Sequence, residues 1–191
     1  MRNLIKKLLR ENLLERVMIN DTEDLAIVKV ADDEILVLMN TTTHEGLGYI
    51  SYGKTDGDVF GIYGAYAKHG YGPLLYEIVM TLVYPSGITM SDDSGTSDDA
   101  INVWRKFKNR SDVIKKPINR TRKTEKEELL DATYDKDDLY YHEILDLHHT
   151  QFIYSLDKTL VNNLTEKGEE YKSKMNKPEG YYMGIVYGLE S

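Results

Sequence analysis

The sequence predicts a mixed α/β fold of the α+β kind, a mostly antiparallel sheet with flanking helices, and three observations lead there. Residues 25–66 contain four short runs rich in Ile, Val, Leu, Tyr and Phe, separated by turn-forming clusters. A glycine-bearing turn, Ala67-Lys68-His69-Gly70-Tyr71-Gly72-Pro73, then leads into residues 74–84, which are apolar nearly all round, as a buried helix is. After Pro85-Ser86-Gly87 the chain restarts as the short strand Ile88-Thr89-Met90. Strand, turn, helix, strand is a βαβ unit, so the two strands that bracket the helix run parallel within the otherwise antiparallel sheet.

The elements follow in order. Leu4, Ile5, Leu8, Leu9, Leu13, Leu14 and Val17 recur at helical spacing, which predicts an amphipathic opening helix. Lys6, Lys7 and Arg10 interrupt its apolar run and argue against an export signal. Residues 25–30 and 34–39 read as strands joined by the hairpin-length turn Ala31-Asp32-Asp33. A loop over 40–46 leads to a third strand at 47–52, and the turn at 53–58 leads to a fourth at 59–66. A second helix is expected from Asp98 to about Phe107, with Thr96 or Ser97 as its cap and Asp98 and Asp99 favoured in its first turn by the helix dipole. Residues 111–141 are charge-dense and weakly periodic, which predicts a long irregular connection with a helical turn or two. Leu160, Val161, Leu164, Gly168, Tyr171 and Met175 mark one face of a helix beginning near Asp157, and residues 180–189 read as a terminal strand. Residues 1–110 thus form the core with its opening helix, and 111–191 form an extension that completes the same domain.

Bulk properties narrow the chemistry. The 191 residues contain no cysteine, which removes disulfides, thiol nucleophiles and thiolate metal sites and fits a cytoplasmic setting. No apolar run is long enough to cross a bilayer, so no membrane partner is expected. A formal net charge of −8 argues against nucleic acid as a partner, and the basic run at 115–123 reads more simply as a solvated loop. The acids between Asp92 and Asp99 have helix-start spacing and match no calcium loop. His142, Asp146 and His149 fall at helical spacing that could hold a metal, yet the surrounding apolar residues equally describe an ordinary amphipathic segment, and no metal is expected. There is no Gly-x-Ser-x-Gly elbow and no Walker sequence.

The glycine turn is the stretch with a recognisable chemical job. A Gly-x-Gly turn that opens a helix presents backbone N–H groups at the positive end of a macrodipole, which is a cradle for phosphate. The alternative is a packing device, in which glycine serves positive φ or close helix approach. Trp104 reads in the same way as a core residue of its helix.

Mixed sheet, cradle after the fourth strand, buried helix, short fifth strand and further helix: this order resembles the GNAT-type N-acetyltransferases. Their turn, (Gln/Arg)-x-x-Gly-x-(Gly/Ala), is matched at Gly70 and Gly72, with Ala67 in place of the polar residue and Lys68 beside it as a source of positive charge. The segment at 100–107 is similar to the family's second-helix pattern, except that Trp104 stands where the family places a tyrosine that protonates the leaving thiolate. Residues 69–76 with Val103-Trp104 also look like GNAT-like proteins encoded by tailed bacteriophages, which would place the chain in a bacterial or phage-infected cell.

The resemblance covers roughly residues 25–110. It implies that the parallel strand pair splays apart, that pantetheine lies in the gap, and that Tyr66, Lys68, His69, Gly70, Tyr71, Gly72, Pro73 and Leu74 hold coenzyme A. It also implies acetyl-CoA as co-substrate and an amine acceptor, protein or small molecule, with Glu45 and Asp92 as catalytic candidates and His69 as a further candidate base. The alternative is a GNAT-like module that binds or builds without catalysing, with a protein partner.

Overall fold

Four consecutive strands form first: β1 (Leu25–Val30), β2 (Ile35–Asn40), β3 (Glu45–Lys54) and β4 (Phe60–Ala67). Each pairs antiparallel with the one before it, as the meander reading requires. The first hairpin turns through Ala31 and Asp32, both at positive φ (51° and 52°), the backbone sense that matches strand twist. The computed structural model describes residues 24–190 apart from 33, 56–57, 69, 91–95, 119–122, 124 and 157. The opening helix expected over residues 4–17 lies outside the described residues.

The βαβ unit is present. Helix α1 (Gly72–Leu82) has its proline in the first turn, and β5 (Ile88–Met90) runs parallel to β4. Helix α2 (Asp98–Asn109) begins at Ser97, whose hydroxyl accepts the Ala100 N–H at 3.3 Å. The charged residue inside α1, Glu77, is buried and paired with the equally buried Arg110 at the end of α2. Burial opposes the charge on Arg110, and Asp112 and Glu77 outweigh it, holding the guanidinium above the ordinary arginine pKa.

Two expectations are corrected. The connection expected to be irregular over 111–141 instead contains the strand β6 (Ile114–Pro117), the helix α3 (Glu125–Thr133) and the start of α4 (Leu139–His148), and β7 (Thr150–Ile153) follows it. These short elements carry little periodicity of their own, because β6 is exposed along its length and is defined by its pairing with β7. The terminal strand is instead a helix. After α5 (Lys158–Met175), α6 (Glu179–Glu190) buries Tyr182 and Val186 one turn apart, and this packing overrides its β-like composition.

The sheet has seven strands in the order β1-β2-β3-β4-β5-β7-β6, mostly antiparallel with one parallel pair. Strands β1 and β2 are almost wholly apolar because both their faces are covered. On one face Leu25, Ile27, Leu36, Leu38, Ile50 and Ile62 share a core with α1 and α2. On the other, Val28, Val30, Val37, Met39 and Tyr49 pack with Tyr171, Tyr182 and Val186. Helix α5 lies against β1 so closely that a Cβ on Gly168 would stand 1.7 Å from the Ile27 carbonyl oxygen.

Candidate functional site

The glycine turn sits where β4 ends and α1 begins, and antiparallel pairing brings the start of β3 beside it. The Lys68 N–H donates to the Leu47 carbonyl at 2.8 Å, which fixes the chain as it leaves β4. Gly70 has φ +94°, a left-handed conformation that explains glycine there, and a Cβ on it would meet no described atom within 4 Å. At Gly72 the nearest atom to such a Cβ is the Ala67 Cβ at 4.0 Å. No described atom crowds the turn, so it is not a packing device in the sense of a glycine that admits a neighbour.

The backbone N–H groups of the turn divide into those with a described acceptor and those without. The Tyr71 N–H donates to the Lys68 carbonyl at 3.1 Å, and Pro73 has none to offer. Tyr71 is the N-cap of α1 and contributes no side-chain cap, so among the described residues no protein acceptor reaches the N–H of Gly72 or Leu74. Those two donors lie in the first turn of an eleven-residue helix with no acidic residue there. An anion would satisfy them.

The neighbouring strand edge is arranged to match. The parallel register runs from Phe60↔Ile88 to Ile62↔Met90, and β4 continues to Ala67 beyond its last pairing with β5. Over that stretch Tyr63 and Tyr66 are 46% and 43% exposed. The end of that pairing coincides with a bulge. Ser51 pairs with Gly64 and Tyr52 with Ile62, so Tyr63 is an extra residue in β4. The bulge had no signal in the sequence, because register is a property of two strands and not of one.

Of the remaining expected residues, Glu45 begins β3 and its carboxylate pairs with the Lys68 ammonium, both partly exposed. The sequence assigned those two residues separate roles; the structure joins them. His69 and Asp92 lie outside the described residues. Tyr71 and Leu74 pack against the core from the turn, and Trp104 is 2% exposed, with Tyr76 edge-on at 5.2 Å and Phe152 at 5.2 Å. Its indole is therefore a core residue. Tyr76, buried beside it, has its hydroxyl pKa pushed up to about 12 by desolvation.

The histidine and aspartate constellation is dispersed over other work. Asp146 pairs with Lys108, and His149 caps α4 and pairs with Glu127. A cavity of about 400 Å³ opens beside them, lined by Lys115, Lys116, Pro117, Ile118, Asp146, His149 and Thr150, at the β6–β7 edge and not at the glycine turn. No described helix is long and apolar enough to cross a membrane. No family model, curated protein or solved structure matches this chain.

Proposed function

We propose that the chain binds an acyl-coenzyme A, acetyl-CoA in the simplest case, and transfers the acyl group to an amine. The carrying observation is the juxtaposition of two features: N–H donors on Gly72 and Leu74 at a helix start that no described acceptor reaches, and the end of β4, residues 63–67, which continues beyond its register with β5. The first suits a pyrophosphate; the second suits an extended, amide-bearing arm that pairs with a strand. Coenzyme A carries both groups in that order. The likeness of residues 67–72 and 100–107 to GNAT-type enzymes supports the same reading.

In the reaction the acceptor nitrogen attacks the thioester carbonyl, a C–N bond forms, the C–S bond breaks, and the sulfur leaves with the proton that the amine gives up. Glu45, at the rim of the turn, is the described residue that could receive that proton first, once Lys68 turns from it towards the phosphate, before it passes through solvent to the thiolate. A second reading, ligand binding without catalysis, is favoured by Trp104. The residue at the family's acid position is a buried indole with no exchangeable proton suited to a thiolate.

Calorimetric titration of the purified chain with acetyl-CoA tests the proposal. Wild type should bind in the micromolar range, while Gly72→Asp should bind at least about tenfold more weakly, its carboxylate occupying the cradle. The variant should fold normally, because an acid in the first turn suits the dipole and the position is open. Absence of binding by wild type would sink both readings, and binding without acetyl transfer to lysine peptides or small amines would select the second.

A further inference from the structure

We propose that the outer edge of β6 is a docking strand for an extended acidic segment of a partner protein, which adds to the sheet as a further strand. Two stretches that the glycine turn leaves without a role meet there. The basic run at 115–123 begins within β6, and Asp146 and His149 come from the spaced set on and just after α4. Lys115, Lys116, Asp146 and His149 line one cavity, of about 400 Å³, at the β6–β7 edge.

The hydrogen bonds to β7 determine what the edge offers. The Ile118 N–H donates to the His149 carbonyl at 2.8 Å, so the backbone groups of Ile118 point at β7. Direction alternates along an antiparallel pair, which turns the backbone groups of Ile114 and Lys116 towards β7 as well, and those of Lys115 and Pro117 away from it. Pro117 therefore stands where a missing N–H costs the ladder nothing. Lys115 presents an N–H and a carbonyl outwards, and Pro117 a further carbonyl. Strand β6 ends the strand order, its four residues are exposed, and no described strand pairs with its outer side.

The side chains select the partner. The carboxylates near the cavity are already matched, Asp146 by Lys108 and the buried Glu127 by His149. Among the described residues no ion pair includes Lys115 or Lys116, although the Lys115 ammonium donates to the Arg110 carbonyl. Two unmatched ammonium groups on a chain of net charge −8 are a local exception that carboxylates would satisfy. Ile114, 54% exposed, adds an apolar neighbour. The complementary segment thus carries two adjacent acids beside an apolar residue, set opposite Lys116, Lys115 and Ile114. A second copy of β6 fits poorly, since pairing about Lys115 would set that lysine opposite its own copy. A nucleic acid has no backbone amides to pair with Lys115. The proposal does not rest on the acyl-CoA reading, because β7 and β6 lie beyond β5 from the glycine turn.

Amide shift mapping and hydrogen exchange on the full chain, titrated with the peptide Thr-Val-Glu-Glu-Val-Thr, test it. The peptide should bind with Kd below about 1 mM and shift the amides at 113–118 and 149–153. Exchange of the Lys115 amide should slow by about tenfold at saturation, while that of Ile118, already bonded to β7, should change little. Lys115→Glu with Lys116→Glu should weaken binding by at least about tenfold, and that double variant should instead bind Thr-Val-Lys-Lys-Val-Thr. Lys116→Glu alone keeps the Lys115–Arg110 bond, should weaken binding about fivefold, and serves if the double variant does not fold. No shift at 113–118 by about 5 mM peptide, equal affinity of wild type for the two peptides, or binding without slower exchange at Lys115 would each overturn the proposal. So would a single-stranded oligonucleotide that binds this edge where the acidic peptide does not, which would make the basic run a nucleic-acid surface.

Discussion

At the scale of residues, the proposed function makes the Lys68–Glu45 pair the element that decides how the turn receives an anion. Both side chains are partly exposed, so the pair is worth at most about 1 kcal/mol. A phosphate held by Gly72 and Leu74 offers Lys68 a stronger, charge-assisted partner. On the acyl-CoA reading, Glu45 is thus a competitor that the ligand displaces. Lys68→Gln should weaken coenzyme A binding by about tenfold, and Glu45→Gln should strengthen it by about two- to fivefold, measured at low salt where the competition is least screened. Opposite signs are the signature. If both substitutions weaken binding, Glu45 contacts the ligand instead of opposing it.

At the scale of elements, helix α5 shows how one missing atom places a helix. Alanine is the better helix former by about 1 kcal/mol, so propensity alone favours Gly168→Ala. The Cβ would meet the Ile27 backbone at 1.7 Å, however, and backbone cannot step aside as a flexible side chain does. The clash wins. Denaturant unfolding should show a net loss of about 2–4 kcal/mol, and a neutral or stabilised variant would contradict the close packing of α5 on β1. This helix was legible in the sequence because its apolar face repeats at 3.6 residues over five turns. Helix α6 was not. Its Tyr, Ile and Val favour a strand, and Gly180, Gly184 and Gly188 lower helix propensity. No described atom would stand within 4 Å of a Cβ on any of the three, so they cost propensity without crowding the described neighbours, and burial of Tyr182 and Val186 decides the outcome.

At the scale of the whole molecule, the sheet brings distant segments to one site and keeps others away from it. The meander and the βαβ unit were legible because each strand is bounded by turn residues and the glycine turn separates the two periodicities. Strands β6 and β7 were not legible, since four exposed residues become a strand only through pairing with a partner more than thirty residues away. The site divides in the same way. Gly70 and Gly72 announce themselves by type, whereas the bulge at Tyr63 and the contact between Lys68 and Glu45 exist only after strands align.

The central claim is that the end of β4 and the start of α1 receive the phosphates and the extended arm of coenzyme A. Amide chemical-shift mapping of the ¹⁵N-labelled chain, titrated with coenzyme A to about 1 mM, tests it most directly, since a ligand of even millimolar affinity is then seen. The account predicts shifts concentrated at Tyr66, Lys68, Gly70, Gly72 and Leu74, with the β6–β7 edge unaffected. Shifts confined to the cavity lined by Lys115, Lys116 and His149, or none at all, would contradict it.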